Sequence, residues 1–213
     1  IGCIIFKSKT RKCIFLSFCY TVFMNRSEKL LQLHQHYHNI CECDLKQTAT
    51  QPVFGNGKPD SDIVFIGEAP GKKEDQTGIP FIGAAGKFLA EMLSSIKLKR
   101  EDIYITNIVK YRPPENRDPT PLEKQQCADW LKAELEFIKP KLIIFLGRHS
   151  MNHFFPDLKI SDAHGTLIKE SLNDLPVHNF LPLYHPAAAL YNGGLRTELL
   201  KDFAKIPGIL KKI

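Results

Sequence analysis

The sequence has few cysteines and no long apolar run. Its 213 residues include 6 cysteines, and Cys3, Cys13 and Cys19 fall within residues 1–23. The three cysteines in the rest of the chain are too few for a disulfide framework, so we expect a reducing cytoplasmic location. No apolar run reaches the length of a membrane span, so we expect no membrane association.

The sequence also has little net charge once its first segment is set aside. Residues 1–23 contain four basic side chains and no acidic one, which accounts for +4 of the formal net charge of +6. The overall charge is therefore weak support for nucleic-acid binding, which would depend on a local cluster of basic residues. A content of 43% hydrophobic and 24% charged residues is typical of an ordinary globular domain.

Residues 1–23 differ in composition from the rest of the chain. A basic run precedes an apolar stretch, the sequence begins with Ile1, and the first methionine is Met24. Three interpretations are open: upstream sequence before a start at Met24, a real extension, or a secretion signal. Residues 20–22 offer no small-residue cleavage site for a secretion signal. We expect residues 1–23 to be dispensable and residues 24–213 to form a single domain.

The stretch from Ile63 to Gly86 organises the rest of the chain. Residues 63–66 are apolar and predict a buried parallel strand. Glycines and a proline then indicate a long glycine-rich loop, and apolar residues at helical spacing follow from Ala85. Ligands of open α/β sheets bind at the carboxyl ends of strands, which is where this loop lies.

Three more apolar runs predict strands at residues 103–109, 142–146 and 180–184. Helices are predicted between them, and one begins after Thr120, where Pro121 and Glu123 complete a capping box. Strands that alternate with helices predict an α/β fold with a mainly parallel sheet.

Polar side chains follow or end the predicted strands. Glu68, Asn107, Arg148 and His185 should therefore meet at one edge of the sheet. Together with Phe81 they suit a planar heterocycle, with Phe81 for its face, Asn107 for its edge and His185 for developing negative charge. Each residue alone also fits a structural role, in loop hydrogen bonding, turn capping or core packing.

Four motifs follow one another over the chain from about Cys41 to its end: GEAPGKKEDQTGIPFIGAAG, TNIVKYRPPENRDPTP, IFLG and HPAAAL. Together they resemble the motifs of the family-four uracil-DNA glycosylases. The resemblance implies a three-layer α/β/α sandwich with a central, mainly parallel four-stranded sheet. It also implies a monofunctional DNA repair glycosylase that flips uracil out of DNA and hydrolyses its C1′–N1 bond, leaving an abasic site.

The resemblance assigns roles to the clustered residues. Phe81 would stack on the flipped uracil, and Asn107 would donate to O4 and accept from N3–H, a pattern that cytosine reverses. His185 would stabilise negative charge on the departing base. Glu68 would position water or counter the charge on the sugar.

Further residues of the same motifs would form the base pocket. Gly67 and Ala69 flank Glu68, and Ala69 stands where relatives with other chemistry have Asp. Glu74 would crowd the C5 edge and exclude thymine. These positions come from the resemblance.

DNA must also be held and opened. Basic residues near the same loops are candidates for phosphate contacts; they are Lys72, Lys73, Lys110, Arg112, Arg117, Arg148 and Arg196. Leu190 or Leu195 is a candidate wedge for the gap left by the flipped base, although either could serve in packing.

The cysteines depart from the family pattern. The resemblance implies four cysteine ligands for a [4Fe–4S] cluster. Here Cys41 and Cys43 are one residue too close, Tyr111 occupies the third position, and Cys127 keeps the fourth. Phenolate is a poor substitute for thiolate in such a cluster, so we expect no metal and no cofactor requirement. If a cluster exists, its ligands are Cys41, Cys43 and Cys127.

Two other functions are compatible with the sequence. One is excision of another deaminated base, hypoxanthine or xanthine. The other is a non-catalytic module that binds uracil-containing or single-stranded DNA. The expected partner is uracil-containing DNA, and we expect a monomer.

Overall fold

The computed structural model describes residues 24–172 and 175–213. The expectations about residues 1–23 lie outside the described residues. Seven α-helices are present in the described part: α1 (Arg26–Ile40), α2 (Lys72–Thr77), α3 (Ala84–Ser95), α4 (Pro121–Ile138), α5 (Arg148–Phe154), α6 (Ile160–Ala163) and α7 (Gly193–Leu210). Six strands accompany them: β1 (Asn56–Gly57), β2 (Ile63–Gly67), β3 (Tyr104–Asn107), β4 (Leu142–Leu146), β5 (Ile168–Lys169) and β6 (Asn179–Leu183).

The strands form one sheet in the order β1-β3-β2-β4-β6-β5. The four central strands, β3, β2, β4 and β6, run parallel and are the four predicted from the sequence. Two strands of two residues each, β1 and β5, extend the sheet at its edges in antiparallel pairing. The mainly parallel α/β fold is confirmed, with six strands rather than four.

Helices cover both faces of the sheet and make three layers. Because strand side chains alternate between faces, Val64 and Ile66 of β2 pack with α1 and α4, whereas Ile63 and Phe65 pack with α3 and α7. All five residues of β2 and of β4 are buried, as expected for parallel strands covered on both faces.

Local sequence explains where the helices begin. Thr120 caps α4 by accepting from the Glu123 backbone N–H, and the Glu123 carboxylate accepts from Thr120 N–H at 2.7 Å. This is the predicted capping box, with Pro121 at the first helical position. The predicted long glycine-rich loop after β2 contains a short helix, α2, which ends at Gly78 in the left-handed conformation (φ 72°).

The described residues include no helix with both the length and the apolar character needed to cross a membrane.

Candidate active site

The carboxyl ends of the central strands place the candidate residues at one edge of the sheet. Gly67 of β2 and Asn107 of β3 are register partners. β4 ends next to Gly147, and His185 follows β6 after Tyr184. The predicted convergence of side chains at this edge is therefore present.

Asn107 and Phe81 meet over the backbone of Gly67. A Cβ placed on Gly67 would lie 2.4 Å from Asn107 Oδ1 and 2.6 Å from Phe81 Cζ. No side chain larger than hydrogen fits there without displacing one of them. Asn107 is 1% exposed, and its Oδ1 has no hydrogen-bond partner. A buried amide oxygen without a partner carries a desolvation penalty, which a hydrogen bond from a ligand would relieve.

The loop that carries Phe81 is held by hydrogen bonds from two sides. Phe81 has φ 54°, an unfavourable backbone conformation for an aromatic residue. Arg100 donates to the Phe81 carbonyl at 2.8 Å. Glu74 Oε1 accepts from the backbone N–H groups of Ile82 at 3.0 Å and Gly83 at 2.8 Å. Glu74 thus fixes the loop, and its predicted role against thymine stays a prediction.

His185 presents a neutral ring to the same edge. Its Nδ1 accepts from the Ala187 backbone N–H at 3.1 Å, so Nε2 carries the proton of the neutral ring. The ring centroid lies 5.8 Å from that of Phe81. Burial, followed by the nearby charge of His149, lowers the pKa of His185 to about 4. The ring is therefore neutral near pH 7 and has a free N–H to donate.

Glu68 follows β2 and faces two cationic partners. Its Oε1 lies 3.3 Å from His149 Nδ1 and 3.4 Å from Lys124 Nζ. These are ion-pair distances, but the angles leave this buried oxygen without a hydrogen bond. Burial raises the pKa of Glu68, while His149 and Lys124 oppose the rise. A carboxylate of this kind can hold a proton, orient water or face a developing cation.

A cleft of about 420 Å³ opens beside these residues and is walled by Glu68, Gly147, Arg148, His149, Tyr184 and His185, among others. Gly147 has φ 96°, and a Cβ on it would lie 2.9 Å from the His185 Cβ, so glycine lets the two strand ends approach. Asn107 and Phe81 are not among the lining residues. His185 therefore stands between the open cleft and the place where Asn107 and Phe81 meet over Gly67, which we call the slot.

Comparison with known proteins agrees with this geometry. A family model described as the uracil DNA glycosylase superfamily matches residues 54–205. The Type-4 uracil-DNA glycosylase of Archaeoglobus fulgidus is 49% identical over 170 residues, which cover 78% of this chain and 85% of the relative. The chain belongs to the type-4 uracil-DNA glycosylase family.

Other members of the type-4 uracil-DNA glycosylase family match over similar lengths. The enzyme of Sulfurisphaera tokodaii is 44% identical over 185 residues, which cover 84% of each chain. The enzyme of Thermotoga maritima is 38% identical over 193 residues, which cover 89% of this chain and 99% of the relative. The resemblance inferred from the four motifs is confirmed.

The three cysteines of the described chain converge beside two tyrosines. Cys43 Sγ and Cys127 Sγ are 3.7 Å apart, and Tyr37 OH lies 3.3 Å from Cys127 Sγ. The ring of Tyr111 stacks on that of Tyr37 at 5.6 Å, and its buried hydroxyl has no hydrogen-bond partner. This donor set, three thiols and a phenol, does not fit the four thiolates that hold a [4Fe–4S] cluster.

The three thiols differ in acidity because they contact one another in a buried place. Hydrogen bonds from Cys127 and Cys43 lower the pKa of Cys41 to about 3. The same contacts, with burial, raise the pKa of Cys43. Hydrogen bonding to Cys41 raises the pKa of Cys127 to about 11. The cluster thus favours one thiolate, at Cys41, stabilised by two thiols.

The predicted phosphate-binding residues fall into two groups. Lys72 and Lys73 are exposed on the first turn of α2, and Arg148 is exposed on the first turn of α5, where its Nε donates to His149 Nε2. The others are held by an amide or a carboxylate: Arg112 donates to Asn116, Arg117 makes a two-pronged pair with Glu123, and Arg196 pairs with Glu91 and lies 4.3 Å above the Phe88 ring.

Lys110 does not fit the phosphate-binding prediction. It is 2% exposed, and its Nζ lies 2.7 Å from Glu134 Oε2 in the interior. It also donates to the backbone carbonyl of Asn107 at 2.9 Å. Lys110 therefore supports the residue at the base slot instead of facing DNA.

Three residues near the site were missed by sequence reasoning. His149 and Lys124 contact Glu68, and Tyr191 is 93% exposed just beyond His185. The position of His149, three residues after the end of β4, was a usable signal, because Arg148 was selected on the same ground. Of the two candidate wedges, Leu190 is 41% exposed, whereas Leu195 packs against the core.

Proposed function

We propose that this chain is a monofunctional uracil-DNA glycosylase that excises uracil from DNA by hydrolysis of the C1′–N1 bond. The observation that carries the proposal is the buried, unpartnered Oδ1 of Asn107 beside the Phe81 ring, over Gly67. An amide held in this way distinguishes uracil from cytosine, because the wrong base would leave buried polar groups unpaired. Membership in the type-4 family supports the same reaction.

The flipped base enters the slot with its face on Phe81 and its pairing edge on Asn107. The Asn107 amide donates to O4 and accepts from N3–H. Thymine carries a methyl group at C5, and the loop fixed by Glu74 limits the room for that group.

His185 acts on the leaving group. As the C1′–N1 bond breaks, negative charge builds on the uracil, and the His185 Nε2–H donates to O2. The hydrogen bond from Ala187 to Nδ1 orients the ring for this donation. A ring that is already neutral near pH 7 can provide this hydrogen bond without first losing a proton.

Glu68 acts on the sugar side. Its carboxylate orients the attacking water or faces the positive charge that develops at C1′. His149 and Lys124 favour the ionised form of Glu68 and so counter the effect of burial.

DNA binding involves the exposed residues around the cleft. Lys72, Lys73 and Arg148 take phosphates, whereas Arg117 and Arg196 would first have to exchange their carboxylate partners. Leu190, with Tyr191 next to it, enters the gap left by the flipped base.

No iron–sulfur cluster is required in this proposal. The thiols of Cys41, Cys43 and Cys127 pack with Tyr37 and Tyr111 as part of the core. The residues that contact the base are not members of this group of cysteines and tyrosines. We also propose that residues 24–213 act as one catalytic domain, that the protein acts as a monomer, and that it works in the cytoplasm.

The test is a turnover assay on matched DNA duplexes that contain uracil, hypoxanthine, xanthine or no damaged base. Release of free uracil with an abasic product is expected. Preferential release of hypoxanthine or xanthine, or tight binding of uracil DNA without release, would replace the proposal by one of its two alternatives.

A further inference from the structure

His149 bridges the two loops that flank the cleft. Its Nδ1 lies 3.3 Å from Glu68 Oε1 in the loop after β2. Its Nε2 lies 3.4 Å from Asp118 Oδ2 in the proline-rich loop before α4. One imidazole therefore contacts carboxylates from both loops, and one of these carboxylates is the candidate catalytic group.

The neighbour of His149 determines which ring nitrogen carries a proton. Arg148 Nε donates to His149 Nε2 at 3.1 Å. In the neutral ring Nε2 therefore accepts, and the proton resides on Nδ1, which faces Glu68. When the ring is doubly protonated, Nε2–H can turn to Asp118. In both states Nδ1 carries a proton and lies 3.3 Å from Glu68 Oε1, an ion-pair distance without hydrogen-bond geometry in the free protein. Catalytic hydrogen bonds are often poorly aligned before substrate binds and tighten in the complex.

Positive charge is already supplied around this carboxylate. The charged groups that face His149 are Glu68 and Asp118, and Arg148 lies beside its ring. Lys124 Nζ lies 3.4 Å from Glu68 Oε1. The charge of His149 also contributes to the lowered pKa of His185. The ligand atoms of Glu68, Asp118 and His149 lie within 4.8 Å of one another, a spacing that would also suit a cation. Lys124 and Arg148 repel a metal ion at this place, so the protein's own cations neutralise the carboxylates.

We propose that His149 is a positioning residue for Glu68. Through Nδ1–H it holds the Glu68 carboxylate ionised and oriented toward the cleft, and through Nε2 it ties the Glu68 loop to the Asp118 loop. The inference rests on the proposed function, because it assigns Glu68 its task in base excision. The buried Oε1 has no hydrogen-bond donor in good geometry and is compensated only by the nearby His149 and Lys124, so loss of His149 removes one of its two compensating groups.

The two amide side chains allow a matched test. In His149→Asn the amide nitrogen can occupy the place of Nδ1, and in His149→Gln it reaches the place of Nε2. We expect His149→Ala and His149→Gln to slow single-turnover excision of uracil about 10-fold or more, the scale of losing a hydrogen bond to a charged group. His149→Asn should keep most of the rate, and affinity for the uracil duplex should change little in all three variants.

The pH profile separates positioning from general damage to the fold. Loss of the Nδ1 partner raises the pKa of Glu68 further, so the acidic limb of the rate profile should move to higher pH in His149→Ala and His149→Gln. His178→Asn is the control, since this exposed histidine contacts Ser171 at 3.2 Å. It should leave the rate and the profile unchanged.

A titration of the Glu68 carboxyl by ¹³C NMR gives a readout that does not need activity. A higher Glu68 pKa in His149→Ala supports the inference even if the wild-type protein releases no uracil, in which case the proposed function alone fails. An unchanged Glu68 pKa and an unchanged rate in His149→Ala would overturn the inference while the proposed function stands. Loss of wild-type activity on addition of EDTA would also overturn it, in favour of a metal ion between the three side chains.

Discussion

The buried pair of Lys110 and Glu134 offers a quantitative test of the packing behind the base slot. Lys110 Nζ lies 2.7 Å from Glu134 Oε2, and the two side chains are 3% and 1% exposed. Lys110→Met removes the cation and leaves the carboxylate buried. Breaking a buried pair from one side costs about 3–5 kcal/mol.

The structure favours the lower end of that range. Glu134 keeps hydrogen bonds from the hydroxyls of Tyr104 at 2.7 Å and Thr106 at 2.9 Å, and His34 lies 3.4 Å away. We therefore expect a loss of about 3 kcal/mol in the free energy of unfolding. For a chain of this length that corresponds to a fall in Tm of roughly 6–12 °C.

The pH dependence of the loss identifies its cause. Burial alone would raise the pKa of Glu134, but Lys110 and His34 outweigh it and lower the pKa. A lowered carboxyl pKa stabilises the folded protein above the unfolded pKa of about 4.3, and this stability is lost as the pH falls through the folded value. Without Lys110 the carboxyl can be buried in its neutral form, so the deficit of Lys110→Met should be largest near pH 7 and shrink toward pH 4.

The assay is urea unfolding of wild type, Lys110→Met and the double variant with Glu134→Gln, at pH 7 and near pH 4.5. The double variant removes the unpaired charge and should recover most of the loss. A loss below about 1 kcal/mol at pH 7, or an equal deficit at both pH values, would refute the reasoning. Because Lys110 also donates to the Asn107 carbonyl, we expect Lys110→Met to slow uracil excision as well.

Three further predictions concern the leaving group, the cysteines and the first segment. His185→Ala should slow single-turnover excision about 100-fold with little change in DNA affinity, whereas Phe81→Ala should weaken both; poor binding with a normal rate in His185→Ala would contradict its role. Protein purified without oxygen should be colourless and low in iron and sulfide; nearly four irons per chain would show that the donor set was misjudged. Protein begun at Met24 should match the full chain in activity and Tm, and a clear loss of either would show that residues 1–23 matter.

Much of the fold could be predicted because the signals are local. The short apolar runs at residues 63–66 and 142–146 predict buried strands, and both runs form them. Thr120 with Glu123 marks the start of α4. The edge strands β1 and β5 could not be predicted, because two residues carry no periodicity. Helix α2 was hidden because its six residues, KKEDQT, have no apolar face, and the flanking Gly71 and Gly78 suggested a loop.

The site was predictable where strand ends bring residues together. Asn107 and His185 follow from that rule, but the contact of Asn107 with Phe81 depends on the left-handed backbone of Phe81, which sequence does not reveal. Lys110 was misjudged because a lysine beside a proline-rich loop looks exposed, and its partner Glu134 lies 24 residues away. Pairs of residues this far apart in the sequence are seen only once the fold brings them together.

The most direct test of the account is the release of free uracil by wild type and by Asn107→Asp under single-turnover conditions, on duplexes that differ in one base, uracil or cytosine. Asp removes the donor to O4 and offers an oxygen that can accept from the cytosine amine. We expect wild type to release uracil and leave cytosine in place. Asn107→Asp should lose at least about 100-fold on uracil, since a site built to pair a polar edge loses strongly when that pairing fails. Unchanged uracil release by Asn107→Asp would contradict the claim that this buried amide reads the base.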